Sequence, residues 1–313
     1  MINCLYCYQP ILEGIGDFHP TCSRKIFSLP NPPELPYSES DMEHLALQVV
    51  RSQVTVTGVQ AKLSLNIADG EKKDVPKRFT IVGLWGGYIL KPPSEKFPQL
   101  PEVEDLTMHL ADIAKIFVVP HSLIRLKSGN LAYITKRIDR NKGNKLAMED
   151  MCQLTERLTE DKYHGSYEQI AKVILKHSAN PVLDVVNFYE QVLFSYLTGN
   201  ADMHLKNFSL IEQPGSGNVL SPAYDLVATV LVNPADDEEL ALTLNGKKKK
   251  IKKSDFVEAF YTAKLDTKQQ ENIFNKMQKA FPKWLTFIDK SFLSENFKNT
   301  LKELLYNRIK IIG

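Results

Sequence analysis

Residues 181–211 read PVLDVVNFYEQVLFSYLTG, NADMHLKN, FSLI, and the break in pattern at Asn200 decides how the chain is read. Up to Gly199 the apolar residues recur at helical intervals, with Pro181 placed to start a helix and Gly199 to end it. From Phe208 the run is short and apolar, as a strand requires. Between them lie Asp202, His204, Lys206 and Asn207, a polar cluster where the apolar pattern stops. A second strand-like run follows the Gly-Ser-Gly turn at 215–217 and ends in Ser221-Pro-Ala-Tyr224-Asp225-Leu226.

Phosphoryl transfer needs an acceptor for the nucleophile's proton and oxygen ligands that hold Mg²⁺ on a triphosphate. Asp202 and Asn207 have the spacing of base and metal ligand in a protein-kinase catalytic loop, and Asp225 arrives at the end of a following strand, where the second ligand belongs. Taken singly, each of the three is as well explained as a turn cap. Lys91, at the end of the alternating stretch Gly86-Gly-Tyr-Ile-Leu-Lys91, offers a cation for phosphate, or else is a solvated strand-end lysine. The turn Thr55-Val-Thr57-Gly58-Val59-Gln60-Ala61-Lys62 allows close backbone approach at its glycine. Neither Gly-x-x-x-x-Gly-Lys-Ser/Thr nor Gly-x-Gly-x-x-Gly occurs, which removes the main support for P-loop and dinucleotide-binding readings.

Outward from that core, 313 residues accommodate two modest domains, and 43% hydrophobic with 24% charged residues is ordinary for a globular protein. A net charge of +2 gives no global reason to bind nucleic acid. No apolar run is long enough to span a bilayer and no leader is apparent at the N-terminus, so a cytoplasmic location is expected. Cys4, Cys7 and Cys22 cluster near the start, and Cys4-x-x-Cys7 with His19-x-x-Cys22, eleven residues further on, can close a tetrahedral zinc site. The competing reading is buried thiols beside an unrelated histidine. Four prolines in 29–41 mark a connector, after which a helix is expected from Asp41 to about Ser52, capped by Ser40 or Asp41. Short β-rich runs follow to about Arg140, interrupted by one helix near 102–116, where Glu102 or Glu104 could pair with Lys91. From Met148 onward helical spacing dominates. The lysine run 247–253 is read as a solvated hairpin rather than a phosphate contact, and Cys152 as core.

Together TVTGVQAKLSL, GGYILKPP, ITKRIDR, MEDMCQ, GNADMHLKNFSLI and LSPAYDLVAT resemble, in order, the HipA-like serine/threonine kinases of bacterial toxin–antitoxin systems, and the short form with a Cys/His-bearing start looks like the HipT-type subgroup. The resemblance implies an α+β, two-lobed, protein-kinase-like fold. Residues 1–40 would be the Cys/His segment and proline-rich linker, 41–138 a β-rich N-lobe, and 139–313 a helical C-lobe. It implies ATP and Mg²⁺ as cofactors, with Asp202 as the proton acceptor and Asn207 and Asp225 as Mg²⁺ ligands. His204, Leu205, Lys206 and Tyr224 would line the nucleotide site, Thr57 to Lys62 would cover the phosphates, and Lys91 would reach them. Lys136, Arg137 and Ile138 would form the adenine hinge, with Asp139 as a ribose contact; Lys136 stands where HipA has an acidic residue. Thr55 and Thr57 match the loop's autophosphorylated Ser-x-Ser, and phosphate there would add about −1.5 to −2 charge beside the triphosphate site and inhibit the enzyme.

Full-length HipA proteins carry a further small N-terminal subdomain of about 100 residues, a common size for a folding unit. No counterpart is seen here, so the resemblance implies a separate HipS-like antitoxin, a HipB-like helix-turn-helix repressor through which DNA is met, and no membrane partner. The family's targets imply an aminoacyl-tRNA synthetase as substrate. Two other readings compete: a small-molecule kinase with the same Asp, Asn, Asp arrangement, and a pseudokinase acting as a binding module in a repressor complex.

Overall fold

The computed structural model describes residues 2–12, 16–42, 62–68, 77–82, 86–141 and 144–313. Of the expected phosphate-covering loop, Thr57 to Lys62, all but Lys62 lies outside the described residues, as do Thr55 and the expected helix beyond Met42. The chain divides into two compact units.

The first unit comprises Met1–Asp105, Val119–Ile138 and Lys290–Phe292. A short hairpin pairs β1 (Ile2–Asn3) with β2 (Pro10–Ile11), and α1 (Pro20–Phe27) follows with Pro20 in its first turn. Helical structure resumes at Glu39, slightly before the expected Asp41, because Ser38 is the cap: its hydroxyl accepts from Asp41 N while Asp41 Oδ2 accepts from Ser38 N. Five antiparallel strands form the main sheet, in the order β4 (Arg78–Val82), β3 (Leu63–Ala68), β5 (Tyr88–Lys91), β7 (Leu131–Lys136), β6 (His121–Arg125). Between β5 and β6 runs α2 (Leu100–Ile113), which stops short of the expected Ile116 because Lys115 adopts a left-handed backbone with φ 62°. Strand β6 was not expected; its central Ser122, Leu123 and Ile124 are buried although charged or polar residues flank them. Phe27 of α1 packs edge-on against Phe79 and obliquely against Tyr88, so one sheet face is covered by the helix that follows the cysteine hairpin.

The second unit comprises Leu106–Val118, Asp139–Asp289 and Leu293–Gly313. Two two-residue strands, β8 (Arg140–Asn141) and β9 (Asn144–Lys145), precede β10 (Met148–Asp150) and the single-turn α3 (Met151–Leu154). Helix α4 (Tyr167–His177) begins with a reciprocal cap between Ser166 and Gln169. Helix α5 (Pro181–Thr198) is buried along most of its length, and its Phe188 contacts Tyr167, Tyr189 and Phe208. Strands β11 (Ser209–Gln213) and β12 (Gly217–Leu220) complete a three-stranded sheet with β10. The remaining helices are α6 (Thr229–Val232), α7 (Lys253–Thr262), α8 (Thr267–Asp289) and α9 (Glu295–Ile312). Trp284 of α8 is fully buried, with its indole N–H donating to Leu110 O at 2.8 Å. In the lysine run, Lys247, Lys248 and Lys249 each meet a carboxylate (Asp255, Glu238 and Asp237) beside the Asn245-Gly246 turn, so three of its cations are already paired. Among the described residues no helix is long and apolar enough to cross a membrane.

Candidate active site

Gly199 ends α5 in a left-handed backbone with φ 74°, and a side chain there would collide with Val230 and Leu304, so the chain must leave the helix at a glycine. On α9 the buried Arg308 donates to the Tyr196 carbonyl in the last turn of α5, and its guanidinium lies 4.8 Å from the Tyr196 ring centroid. Past Gly199, Thr229 accepts from Ala201 N at 2.9 Å and donates to Gly199 O at 3.1 Å, which fixes the start of the polar loop. Asn200 is wholly buried: its Oδ1 accepts from Asp202 N at 3.2 Å, and its Nδ2 has no partner among the described residues.

Within the loop the Asp202 carbonyl is the anchor point. It accepts from His204 N at 2.8 Å and from Asn207 Nδ2 at 2.9 Å. Because the donor end of the Asn207 amide is committed, its Oδ1 is the end left to act as a ligand. The Asp202 carboxylate Oδ1 accepts from the Tyr163 hydroxyl at 2.5 Å, so this oxygen already engages a hydroxyl group. Burial outweighs the pull of Asp202 and Asp225 and holds His204 below the usual imidazole range, keeping it neutral beside both carboxylates. Its Nδ1 is buried without a partner among the described residues, and its ring meets Tyr163 edge-on at 5.0 Å.

The second aspartate is tied to this loop through its neighbour. Tyr224 donates to Lys206 O at 3.0 Å and shares a 2.5 Å hydrogen bond with Ser209, while burial pushes its phenol above the ordinary tyrosine range. Asp225 then takes a left-handed backbone, φ 60°, a conformation that costs a non-glycine residue about 1 kcal/mol or more. Such strain is held where the surroundings over-determine it, and it often marks a functional position. Lys206 pairs with Asp150 at 2.7 Å; the other oxygen of that carboxylate caps α3. Leu205 is buried, whereas Asp139 is held by Arg140 at 2.6 Å, an engagement that spacing alone did not suggest.

In the first unit Lys91 is not the solvated strand-end lysine of the simpler reading. It is 4% exposed, its Nζ is 2.5 Å from Glu104 Oε1, and it lies 5.4 Å from the Tyr133 ring centroid, its cross-strand partner. Of the two candidate glutamates, Glu104 makes this pair. Glu102, raised by burial and next by the charge of Asp105, does not feature in it. In the expected hinge, Lys136 N donates to Pro120 O and Arg137 N to Gly87 O, so both of these backbone donors are engaged within the first unit. Lys62 is exposed ahead of β3.

Two participants escaped sequence reasoning. Tyr163 lies 39 residues before Asp202 in a turn without motif character, and Asp150 reads as an ordinary cap. The only signal for Asp150 was its place in MEDMCQ.

Residues 54–285 match the HipA-like C-terminal domain, most of the chain. The chain belongs to that family. Among its relatives is a putative kinase of Haemophilus influenzae, 32% identical over 210 residues that cover 63% of this chain and 58% of that protein. Another is the putative kinase Y4dM of Sinorhizobium fredii, 33% identical over 188 residues, 56% of this chain and 45% of that one. The chain thus spans about half the length of the curated relatives it matches. Of solved structures, the Shewanella oneidensis toxin–antitoxin complex of HipA, HipB and operator DNA aligns with a TM-score of 0.69 at 21% identity, over 88% of this chain and 71% of that chain. The Helicobacter pylori proinflammatory kinase CtkA aligns with a TM-score of 0.56 at 18% identity, over 80% of this chain and 94% of that one. At these identities the likeness is one of fold, and it is the mixed α+β, kinase-like fold that the motifs implied.

Proposed function

We propose that this HipA-like chain is a kinase that moves the γ-phosphoryl group of ATP to a serine or threonine hydroxyl of a protein. One observation carries the reading: the Asp202 carboxylate accepts from a hydroxyl at 2.5 Å, while its own backbone carbonyl orients Asn207 so that the amide oxygen meets no partner among the described residues. In the reaction the substrate O–H proton passes to Asp202 as the hydroxyl oxygen bonds to phosphorus and the bond to the ADP oxygen breaks.

The donor set suits Mg²⁺, since Asn207 Oδ1 and the Asp225 carboxylate are hard oxygen ligands of the kind that ion prefers. When bound, the ion would offset charge on the phosphates. Lys91 would contribute a phosphate-facing cation held in place by Glu104, and the neutral, desolvated His204 would add no competing positive charge next to the base. Tyr163 must release or share its carboxylate oxygen as the acceptor arrives.

The wider role is a toxin of a HipBST-like system, acting on an aminoacyl-tRNA synthetase in the cytoplasm and partnered by HipS-like and HipB-like antitoxins, with self-phosphorylation at Thr55 or Thr57 as its brake. Support comes from family membership and from the fold shared with a chain of the Shewanella oneidensis structure of HipA, HipB and operator DNA.

The test is phosphate transfer from labelled ATP and Mg²⁺ in bacterial lysate, wild type against Asp202→Ala, with labelled sites located by mass spectrometry. Label on a synthetase and on Thr55 or Thr57, reduced by about 10²-fold or more in the variant, is the expected result. Asp202-independent labelling, or none on protein despite bound ATP, rejects it, and the latter outcome redirects attention to small-molecule acceptors.

A further inference from the structure

We infer that Cys4, Cys7, His19 and Cys22 bind one structural Zn²⁺, which fixes the N-terminal hairpin against the helix that carries Glu104. Each of the four offers one ligand atom, and all of these lie within 4.8 Å of one another. His19 Nδ1 is 3.5 Å from Cys7 Sγ and 3.8 Å from Cys22 Sγ. A tetrahedral zinc with ordinary Zn–S and Zn–N bonds has ligand-to-ligand edges of about 3.5–3.8 Å, so the side chains already stand close to the corners of that polyhedron.

Local folding explains the arrangement. The β1–β2 hairpin is closed by Cys4 N donating to Gln9 O and Tyr8 N donating to Cys4 O, both at 2.9 Å, and Tyr8 turns the chain with φ 60°. This presents the Cys4 and Cys7 thiols to one side. His19 is the residue before α1 and Cys22 lies in its first turn, so the second pair projects from a helix start. His19 Nε2 is 3.1 Å from Pro10 O. That contact assigns the ring proton to Nε2 and leaves the Nδ1 lone pair facing the thiols, the outer-shell device by which metal-bound histidines are oriented. Cys4 and Cys22 are buried, and four protein ligands leave no open position, so the site is closed and structural rather than catalytic.

The hairpin is also wired to the sheet and to α2. Leu5 O accepts from Ser122 Oγ at 3.2 Å, and Tyr8 donates its hydroxyl to Asp105 Oδ2 at 2.7 Å. The other oxygen of Asp105 meets His121 Nδ1 at 2.7 Å. Asp105 is the residue after Glu104, which holds Lys91. Metal bound at the hairpin therefore fixes the helix position that carries the lysine's partner. The zinc site itself stands apart from the kinase reading and is tested without it.

The measurement is metal content of the whole reduced chain, together with Zn²⁺ titration against a chromophoric chelator and the absorption spectrum after Co²⁺ substitution. One Zn²⁺ per chain, bound with a Kd at or below about 100 nM, is expected. Co²⁺ should give the ligand-field bands of a tetrahedral thiolate site. His19→Cys should keep the metal and strengthen the sulfur-to-cobalt charge-transfer band, Cys7→Ser should weaken binding at least about tenfold, and Cys152→Ser should change nothing. Should Cys7→Ser fail to fold, the wild-type titration and the His19→Cys spectrum decide. Substoichiometric, weak binding by the reduced wild type, or a His19→Cys spectrum identical to wild type, overturns the assignment.

Discussion

Replacing Asn207 by Asp keeps an oxygen ligand and removes the donor that holds the Asp202 carbonyl, so it separates two jobs done by one side chain. The lost hydrogen bond is the 2.9 Å contact from Nδ2 to Asp202 O, worth about 0.5–1.5 kcal/mol net. The carbonyl keeps its bond from His204 N, so the further penalty for leaving it bare is avoided. Instead the new carboxylate oxygen faces a carbonyl oxygen at a position 5% exposed, and burying that charge adds an amount of the same order or larger. The sum is about 2–4 kcal/mol of destabilisation, a shift of about 1 M in a urea midpoint. As pH falls the introduced carboxyl takes up a proton and can donate again, so the gap to wild type should narrow between about pH 8 and pH 5. Urea unfolding of both proteins across that range measures it, with phosphate transfer assayed in parallel and expected to be lost at pH 8 even with excess Mg²⁺. A variant as stable as wild type at every pH would show that the amide does not hold the loop, and the assignment of Asn207 Oδ1 as a ligand would lose its basis.

Lys91→Met removes the cation 2.5 Å from a glutamate with no exposed surface and should cost about 3–5 kcal/mol, while Lys91→Met combined with Glu104→Leu should recover most of that stability without recovering phosphate transfer. A double-mutant cycle with no coupling would reject the pair. At acid pH, Asp255 is the group to watch. Burial acts to raise its carboxyl, but Lys247, the Lys252 N–H and Asn245 outweigh it and hold it below the usual range. A depressed folded value means stability that is present above the unfolded pKa of about 3.9 and lost as pH falls through the folded value, so Asp255→Asn should flatten the acid limb of the stability profile below about pH 4.

Much of this was legible in the sequence where one residue type answers one local need. Pro181 and Gly199 bracket α5, short β-rich runs mark β3, β4, β5 and β7, and the Cys/His pairs announce themselves by spacing. Long-range partnership was not legible. Tyr163 and Asp202 meet through the fold, and so do Tyr8 and Asp105, 97 residues apart. Whether Glu102 or Glu104 faced Lys91 depended on the rotation of α2 about its axis, which an apolar pattern covering several faces does not settle. The N-cap at Ser38 was missed because Ser38, Ser40 and Asp41 could each serve, and only the hydrogen bonds distinguish them. The β6 strand was hidden by its flanking His121 and Arg125, both of which find specific carboxylate partners.

The contact between Arg308 and Tyr196 joins residues 112 apart in sequence. A ribosome delivers the loop that carries Asp202 well before it delivers the arginine that secures the helix leading into it. Until then the last turn of α5 lacks the cation that satisfies its carbonyl, and Gly199 lacks the Leu304 side chain packed beside it. A nascent chain would therefore carry Asp202 for several seconds at ordinary elongation rates without the packing that fixes its loop.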